Sequence, residues 1–196
     1  MMEEEFTAWI IKYKSPKFIE GIYLIWYPDI NDIDQFLTLD NGKIFMSTSL
    51  KNLPAEMGHT SISIENREKM ISWLNREFAP DQKEIAEDNF YDLNILLKEL
   101  ELDVYSVETI ENFTNFINLF GDYARQSKKN NFLLEYENNG SINELWTYFY
   151  EAIFWPRFKD KEKFDPGQLP PLKVNKQILL EKFKEIVSVF DEQIAP

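Results

Sequence analysis

Cysteine is absent from the 196 residues. That excludes a disulfide framework, a thiolate zinc site and a cysteine nucleophile. Histidine occurs once, at His59, so no multi-histidine metal centre can form. Glycine occurs six times, and none of the six belongs to a G-x-G-x-x-G or G-x-x-x-x-G-K-[ST] phosphate loop or to a G-x-S-x-G nucleophile elbow. Long apolar runs are missing as well, so a membrane span is not expected. The first residues, MMEEEF, are acidic where an export signal is basic. The expected location is therefore the cytoplasm. No cofactor is implied.

Positive charge is also scarce. Lys and Arg number 21 against 34 Asp and Glu, giving a formal net charge of −13 and a pI near 4.6. Direct binding to nucleic acid is disfavoured, because that affinity comes from cations facing phosphates. An acidic protein attracts basic partners and stays soluble. The charge is uneven along the chain. Between Glu77 and Glu111 eleven acidic residues stand against Lys83 and Lys98, a net of −9. Between Arg157 and Lys184 eight basic residues stand against four acidic ones, a net of +4. Either these two segments neutralise each other within the fold, or the acidic one forms a surface that steers a basic partner.

Apolar residues are plentiful: 44% of the chain is hydrophobic and 15% aromatic, enough for a sizeable core. Phe6, Trp9, Ile10 and Tyr13 follow i, i+3, i+4, i+7 spacing and predict a leading helix ended by Pro16. FIEGIYLIWYP, at 18–28, predicts a strand covered on both faces. Asp40-Asn41-Gly42 between β-prone runs predicts a hairpin. Residues 18–64 are thus expected to form a small antiparallel sheet. Helical spacing follows in Met70, Trp73, Leu74 and Phe78 up to Pro80, and less regularly through 82–101 with Leu93, Leu96, Leu97 and Leu100. Ile110, Phe113, Ile117, Phe120 and Ala124 keep it for four turns. Gly121 inside that run costs about 1 kcal/mol against Ala, so local packing must compensate. A last helix is expected over 176–193, with Leu179, Phe183, Ile186, Val187 and Phe190 inward. The fold class is α+β, with the second half mostly helical. One domain over 1–196 is expected; a division into 1–80 and 81–196 is the alternative.

The densest aromatic stretch is NELWTYFYEAIFWPRF, 143–158. Ser141-x-x-Glu144 matches a capping box, and Pro156 should stop the helix near 154; 157–174 should then be loop. On a 100° wheel, Ile142, Leu145, Trp146, Phe149, Ala152 and Ile153 form a face sufficient for core packing. Glu144, Tyr148, Glu151 and Trp155 form a second stripe. Tyr and Trp on it suit a protein interface, and the carboxylates suit a basic partner.

Sites for chemistry are sparse. His59-Thr60-Ser61 supplies half of the paired signature of two-histidine phosphoesterases, and the second histidine does not exist. Asp29, Asp32, Asp34 and Asp40 lie close in sequence, but Ile33 and Asp34 occupy positions that a calcium loop gives to a ligand and a glycine. Solvated turn residues explain them; a magnesium site built from Asp29, Asp32 or Asp34 with His59 is the alternative. The expected function is therefore non-enzymatic: an acidic protein that inhibits or sequesters a basic protein partner, as an immunity protein neutralises a nuclease toxin. No family motif supports more than this likeness of class. The residues expected to touch the partner are Glu144, Tyr148, Glu151 and Trp155, with Glu84, Glu87, Asp88 and Asp92 steering it. A metal-dependent phosphoester hydrolase and a phage anti-defence protein mimicking nucleic acid are the competing functions.

Overall fold

The computed structural model describes residues 6–63, 67–77 and 89–195. It is α+β, with strands concentrated in the first half and helices in the second. The chain forms two compact units: Met1–Asp92 with Asp191–Pro196, and Leu93–Phe190.

The first unit carries two four-stranded sheets. One has the order β3-β2-β1-β7, built from β1 (Trp9–Lys14), β2 (Ile22–Pro28), β3 (Asp34–Phe36) and β7 (Phe90–Asp92). The other has the order β6-β4-β5-β8, from β4 (Thr38–Leu39), β5 (Ile44–Phe45), β6 (Ile62–Ser63) and β8 (Ile194–Ala195). Neither is purely antiparallel, because β1 pairs parallel with β7 and β5 parallel with β8. A sequence window cannot show such pairings, since the partners lie about eighty and a hundred and fifty residues away.

The expected leading helix is strand β1. Its register sets Ile10 opposite Ile25 and Ile11 opposite Leu24, and β7 occupies its other edge. Ile10, Ile11 and Tyr13 are all buried, so both faces are covered. Apolar residues on both faces erase the alternation that marks a strand, and four chance matches to helical spacing remain. The adjacent β-branched Ile10 and Ile11 favour the pleated backbone. β2 is a strand as expected.

The hairpin forms at the expected turn but with different geometry. Only Gly42 has positive φ, at 85°. The Gly42 amide donates to the Leu39 carbonyl at 2.8 Å and the Leu39 amide to Lys43 at 2.8 Å. This is a type I turn followed by a left-handed glycine, which fits the right-handed twist as well as the two-residue turn does. One core of this unit gathers Ile10, Ile25, Leu39 and Phe45 from the strands with Leu53 and Met57 of α1 (Leu53–His59) and Met70, Trp73 and Leu74 of α2 (Arg67–Glu77). Phe78 and Pro80 fall outside the described residues.

The second unit is helical. α3 (Leu93–Glu101) buries Leu93, Leu96, Leu97 and Leu100. α4 (Val107–Gln126) starts at Ser106, whose hydroxyl accepts the Thr109 amide at 3.0 Å. It buries every residue of the expected stripe, from Ile110 to Ala124. α8 (Lys176–Gln193) buries Leu179, Phe183, Ile186, Val187 and Phe190, and its last three residues belong to the first unit. α4 and α8 meet through rings: Phe116 packs edge-on against Phe183 and Phe190 at 5.6 Å each. Each fully buried Phe contributes about 1.5–3 kcal/mol through burial.

Gly121 has its explanation here. A Cβ at that position would collide with the Arg125 guanidinium and lie 2.5 Å from Glu137 Oε1. The absent side chain leaves room for the Arg125–Glu137 ion pair, at 2.6 and 2.7 Å, which ties α4 to the short helix α5 (Leu134–Glu137).

Candidate functional site

The aromatic stretch does not stop at Pro156. It forms α6 (Gly140–Tyr148), a π-helical turn (Phe149–Phe154) and α7 (Trp155–Lys159) without a break. The cap is Asn139, whose side chain accepts the Ser141 amide at 3.0 Å, so the expected Ser141 box is not the start. Asn139 stands two residues before Ser141 and caps first, and either residue type caps well. The helix passes Pro156 because of the π turn. In an α-helix the proline ring would press on the carbonyl four residues back. Here the Trp155 amide instead reaches the Tyr150 carbonyl, five residues back, and the wider turn lets Pro156 sit in the first turn of α7, as its second residue.

That turn also decides which rings line up. In an ideal α-helix residues 146 and 158 would lie about 120° apart, since each step of four overshoots a full turn by about 40°. The π turn advances less per residue and cancels that drift. Trp146, Tyr150, Phe154 and Phe158 therefore form one ladder. Successive ring centroids are 4.4, 5.4 and 6.0 Å apart, and the last pair is stacked at 10°. Trp155 joins it edge-on to Phe154 at 4.9 Å and to Phe158 at 5.9 Å.

Three of these rings face solvent: Trp146 at 36%, Trp155 at 48% and Phe158 at 74%. Two expectations change as a result. Trp146, assigned to the core face, is exposed, while Ile142, Leu145, Phe149 and Ile153 are buried. Phe158, expected beyond the helix, is part of it.

The ladder is held in place from α4. Asn118 accepts from Trp146 Nε1 at 2.8 Å and donates to the Tyr150 hydroxyl at 3.1 Å. One amide thus fixes two rings. Arg157 makes a bidentate pair with Glu111, at 3.0 and 2.6 Å, which anchors α7 to α4. That hydrogen bonding, ahead of the opposing effect of burial, raises the Arg157 pKa.

The expected second stripe is split by the π turn. Glu144 is exposed in α6. Trp155 belongs to the ladder. Tyr148 and Glu151 instead line an open groove of about 640 Å³, with Ala152, Phe164 and Leu169 among its other walls. The Tyr148 hydroxyl donates to the Pro170 carbonyl at 2.7 Å, and partial burial raises its pKa. The loop opposite is braced by its own acids. Asp160 pairs with Lys163 at 2.6 Å. Asp165 accepts from the Gly167 amide at 2.8 Å and from Gln168 at 2.9 Å.

The expected acidic surface fares differently. Glu84, Glu87 and Asp88 fall outside the described residues. Asp92, in β7, is largely covered and lies 3.9 Å from Lys14. Within the second unit the two charge segments meet: Glu101 pairs with Lys184 at 2.6 Å, Asp103 with Lys176 at 2.8 Å and Glu111 with Arg157. Much of the described part of the acidic stretch is therefore neutralised locally.

Asp29 braces the 29–33 turn, and Asp34 begins β3. Asp29 Oδ1 accepts the Asn31 amide at 2.7 Å and the Ile33 amide at 3.0 Å. These bonds, led by the one from Ile33, lower its pKa. His59 is exposed at the end of α1. Among the described residues no group of three or more His, Asp or Glu is placed to hold a metal ion. No described helix is long and apolar enough to cross a membrane.

No protein-family model matches the sequence, and the search of curated proteins finds no match. Among solved structures the chain is similar to the C-terminal domain of SatS, crystallised in complex with bromine. The TM-score is 0.63 at 14% identity, over 96% of this chain and 92% of that one. At that identity the likeness is one of fold.

Proposed function

We propose that this protein is a non-enzymatic binding protein that captures another protein on the aromatic face of residues 140–159 and so inhibits or sequesters it. The observation that carries this reading is the ladder itself. Trp146, Trp155 and Phe158 are exposed, yet Asn118 and the Arg157–Glu111 pair fix the helix and rings beneath them. Burying large rings whose rotamers are already set costs little entropy. Contiguous exposed aromatics on a soluble protein mark interaction surfaces.

The partner is basic on this reading. Glu144 and Glu151 are exposed on the same helix, and the whole chain carries −13. Long-range attraction would come from this net charge more than from the 77–111 segment, where Glu101, Asp103 and Glu111 are paired. An immunity protein neutralising a nuclease toxin is a role of this kind.

The test is affinity purification of the tagged full chain from its own cells, with wild type and Trp155→Ala/Phe158→Ala compared by mass spectrometry. Isothermal titration with the purified partner follows. Loss of two aromatic anchors should weaken binding by about a hundredfold or more. Equal recovery of the same partner by both forms refutes the reading.

A further inference from the structure

We infer that the groove beside the ladder is a socket for an arginine side chain of the captured protein. This rests on the protein-binding reading above and adds the chemistry of one anchor. Three carboxylates, Glu151, Asp160 and Asp165, line the groove against a single ammonium, Lys163. Lys163 is held by Asp160, and Asp165 braces its own loop. Glu151 is different. It is exposed, and its carboxylate has no hydrogen-bond or ion-pair partner among the described residues.

The other walls suit the rest of an arginine. Tyr148 and Phe164 bring aromatic rings to the groove, and Ala152 and Leu169 bring aliphatic surface for a methylene stem. The Tyr148 hydroxyl is occupied by Pro170, which fixes that ring rather than leaving it to compete for the ligand. A planar guanidinium can lie on an aromatic face and take a carboxylate in its fork at the same time. A lysine ammonium offers neither plane nor fork and sheds water less readily. An anionic or purely apolar side chain would leave Glu151 facing like charge or desolvated without a partner. The groove and the ladder are built on one continuous helical segment.

The probe is N-acetyl-arginine amide, titrated into the 15N-labelled full chain and followed by amide chemical shifts. N-acetyl-lysine amide and N-acetyl-norleucine amide serve as comparisons. The expected result is a saturable shift at Tyr148, Glu151, Gly167 and Gln168 with the arginine probe. It should be weaker with lysine and absent with norleucine. Glu151→Gln should reduce the arginine affinity by about fivefold or more. Its own spectrum shows whether the variant is folded, and Glu151 has no described partner whose loss would disturb the fold.

No saturable shift, an equal response to norleucine or lysine, or undiminished binding by Glu151→Gln overturns the socket. Trp155→Ala/Phe158→Ala should leave the arginine titration unchanged. If the probe fails while that double variant still loses its protein partner, the socket falls and the binding reading stands. If the probe binds as expected while the double variant keeps its partner, the ladder falls and the socket stands.

Discussion

Asp191 offers the sharpest quantitative test of the first unit. Its carboxylate is 4% exposed and accepts the Tyr13 hydroxyl at 2.7 Å and the Ser15 hydroxyl at 2.8 Å. Tyr13 and Ser15 are themselves fully buried. Asp191→Ala leaves two buried hydroxyls without their acceptor, at about 1–3 kcal/mol each, against a small gain in helix propensity. The expected loss is about 2–5 kcal/mol, a large part of the 5–15 kcal/mol common for domains. Asp191→Asn keeps one acceptor for Tyr13, and its amide can donate to Ser15 once that hydroxyl turns. It should cost about 2 kcal/mol less than the alanine.

The pH dependence gives a second readout. Burial raises the Asp191 pKa above its ordinary value, and the bonds from Tyr13 and Ser15 only partly oppose this. A folded pKa above the unfolded one means that folding favours the protonated acid. That contribution is complete below the ordinary aspartate range and is lost as pH rises through the folded pKa. The asparagine variant has no such titration. Wild type should therefore lead Asp191→Asn by most at low pH, and the lead should shrink towards neutrality. Urea melts followed by circular dichroism, from about pH 3 to pH 7, measure it. A lead that stays constant or grows with rising pH refutes the reasoning. So does an alanine variant as stable as the asparagine one.

Other substitutions separate core from surface. Phe116→Ala, between Phe183 and Phe190, should cost about 3–5 kcal/mol in a denaturant melt. Phe158→Ala, 74% exposed, should cost under about 1 kcal/mol; equal losses would place Phe158 in a core. Gly121→Ala gains about 1 kcal/mol of helix propensity but displaces the Arg125–Glu137 pair. That pair is half exposed on its Arg side and contributes about 0–1 kcal/mol. The net change should be within about 1 kcal/mol of zero, and a loss above about 2 kcal/mol would show that Cβ meets something stiffer than two side-chain ends. Arg157→Lys breaks the fork to Glu111, a pair about one-third exposed on each side. It should cost about 1 kcal/mol or less, with a cost that falls as salt is added; a cost insensitive to salt counts against the ion pair as its source.

Several elements were legible because one local signal sufficed. α4 and α8 each bury a single stripe for many turns, so 3.6-residue spacing located both. The hairpin at Asp40-Asn41-Gly42 was legible because Gly accepts a positive φ. β1 was not legible, since strands on both edges and cover on both faces remove the alternation by which a strand is recognised. Trp146 and Phe158 were misplaced for different reasons. Phe158 was set beyond the helix because Pro156 was read as its end, and the π turn carries the helix past it. Trp146 was counted with the core face it borders, but its ring lies at the rim, bonded to Asn118.

The sequence by itself determined the α+β class, the apolar stripes of the long helices, the absence of thiol and multi-histidine chemistry and the surplus of negative charge. These follow from residue type and short-range spacing. Tertiary structure decided the parallel pairings of β7 and β8, the cancellation of Glu101, Asp103 and Glu111 by cations 46 to 83 residues away, and the groove beside Tyr148. It also decided which rings of 143–158 face solvent. Each of these depends on segments distant in the chain or on the pitch of one turn. Neither the composition of a segment nor its ideal helical period specifies such things.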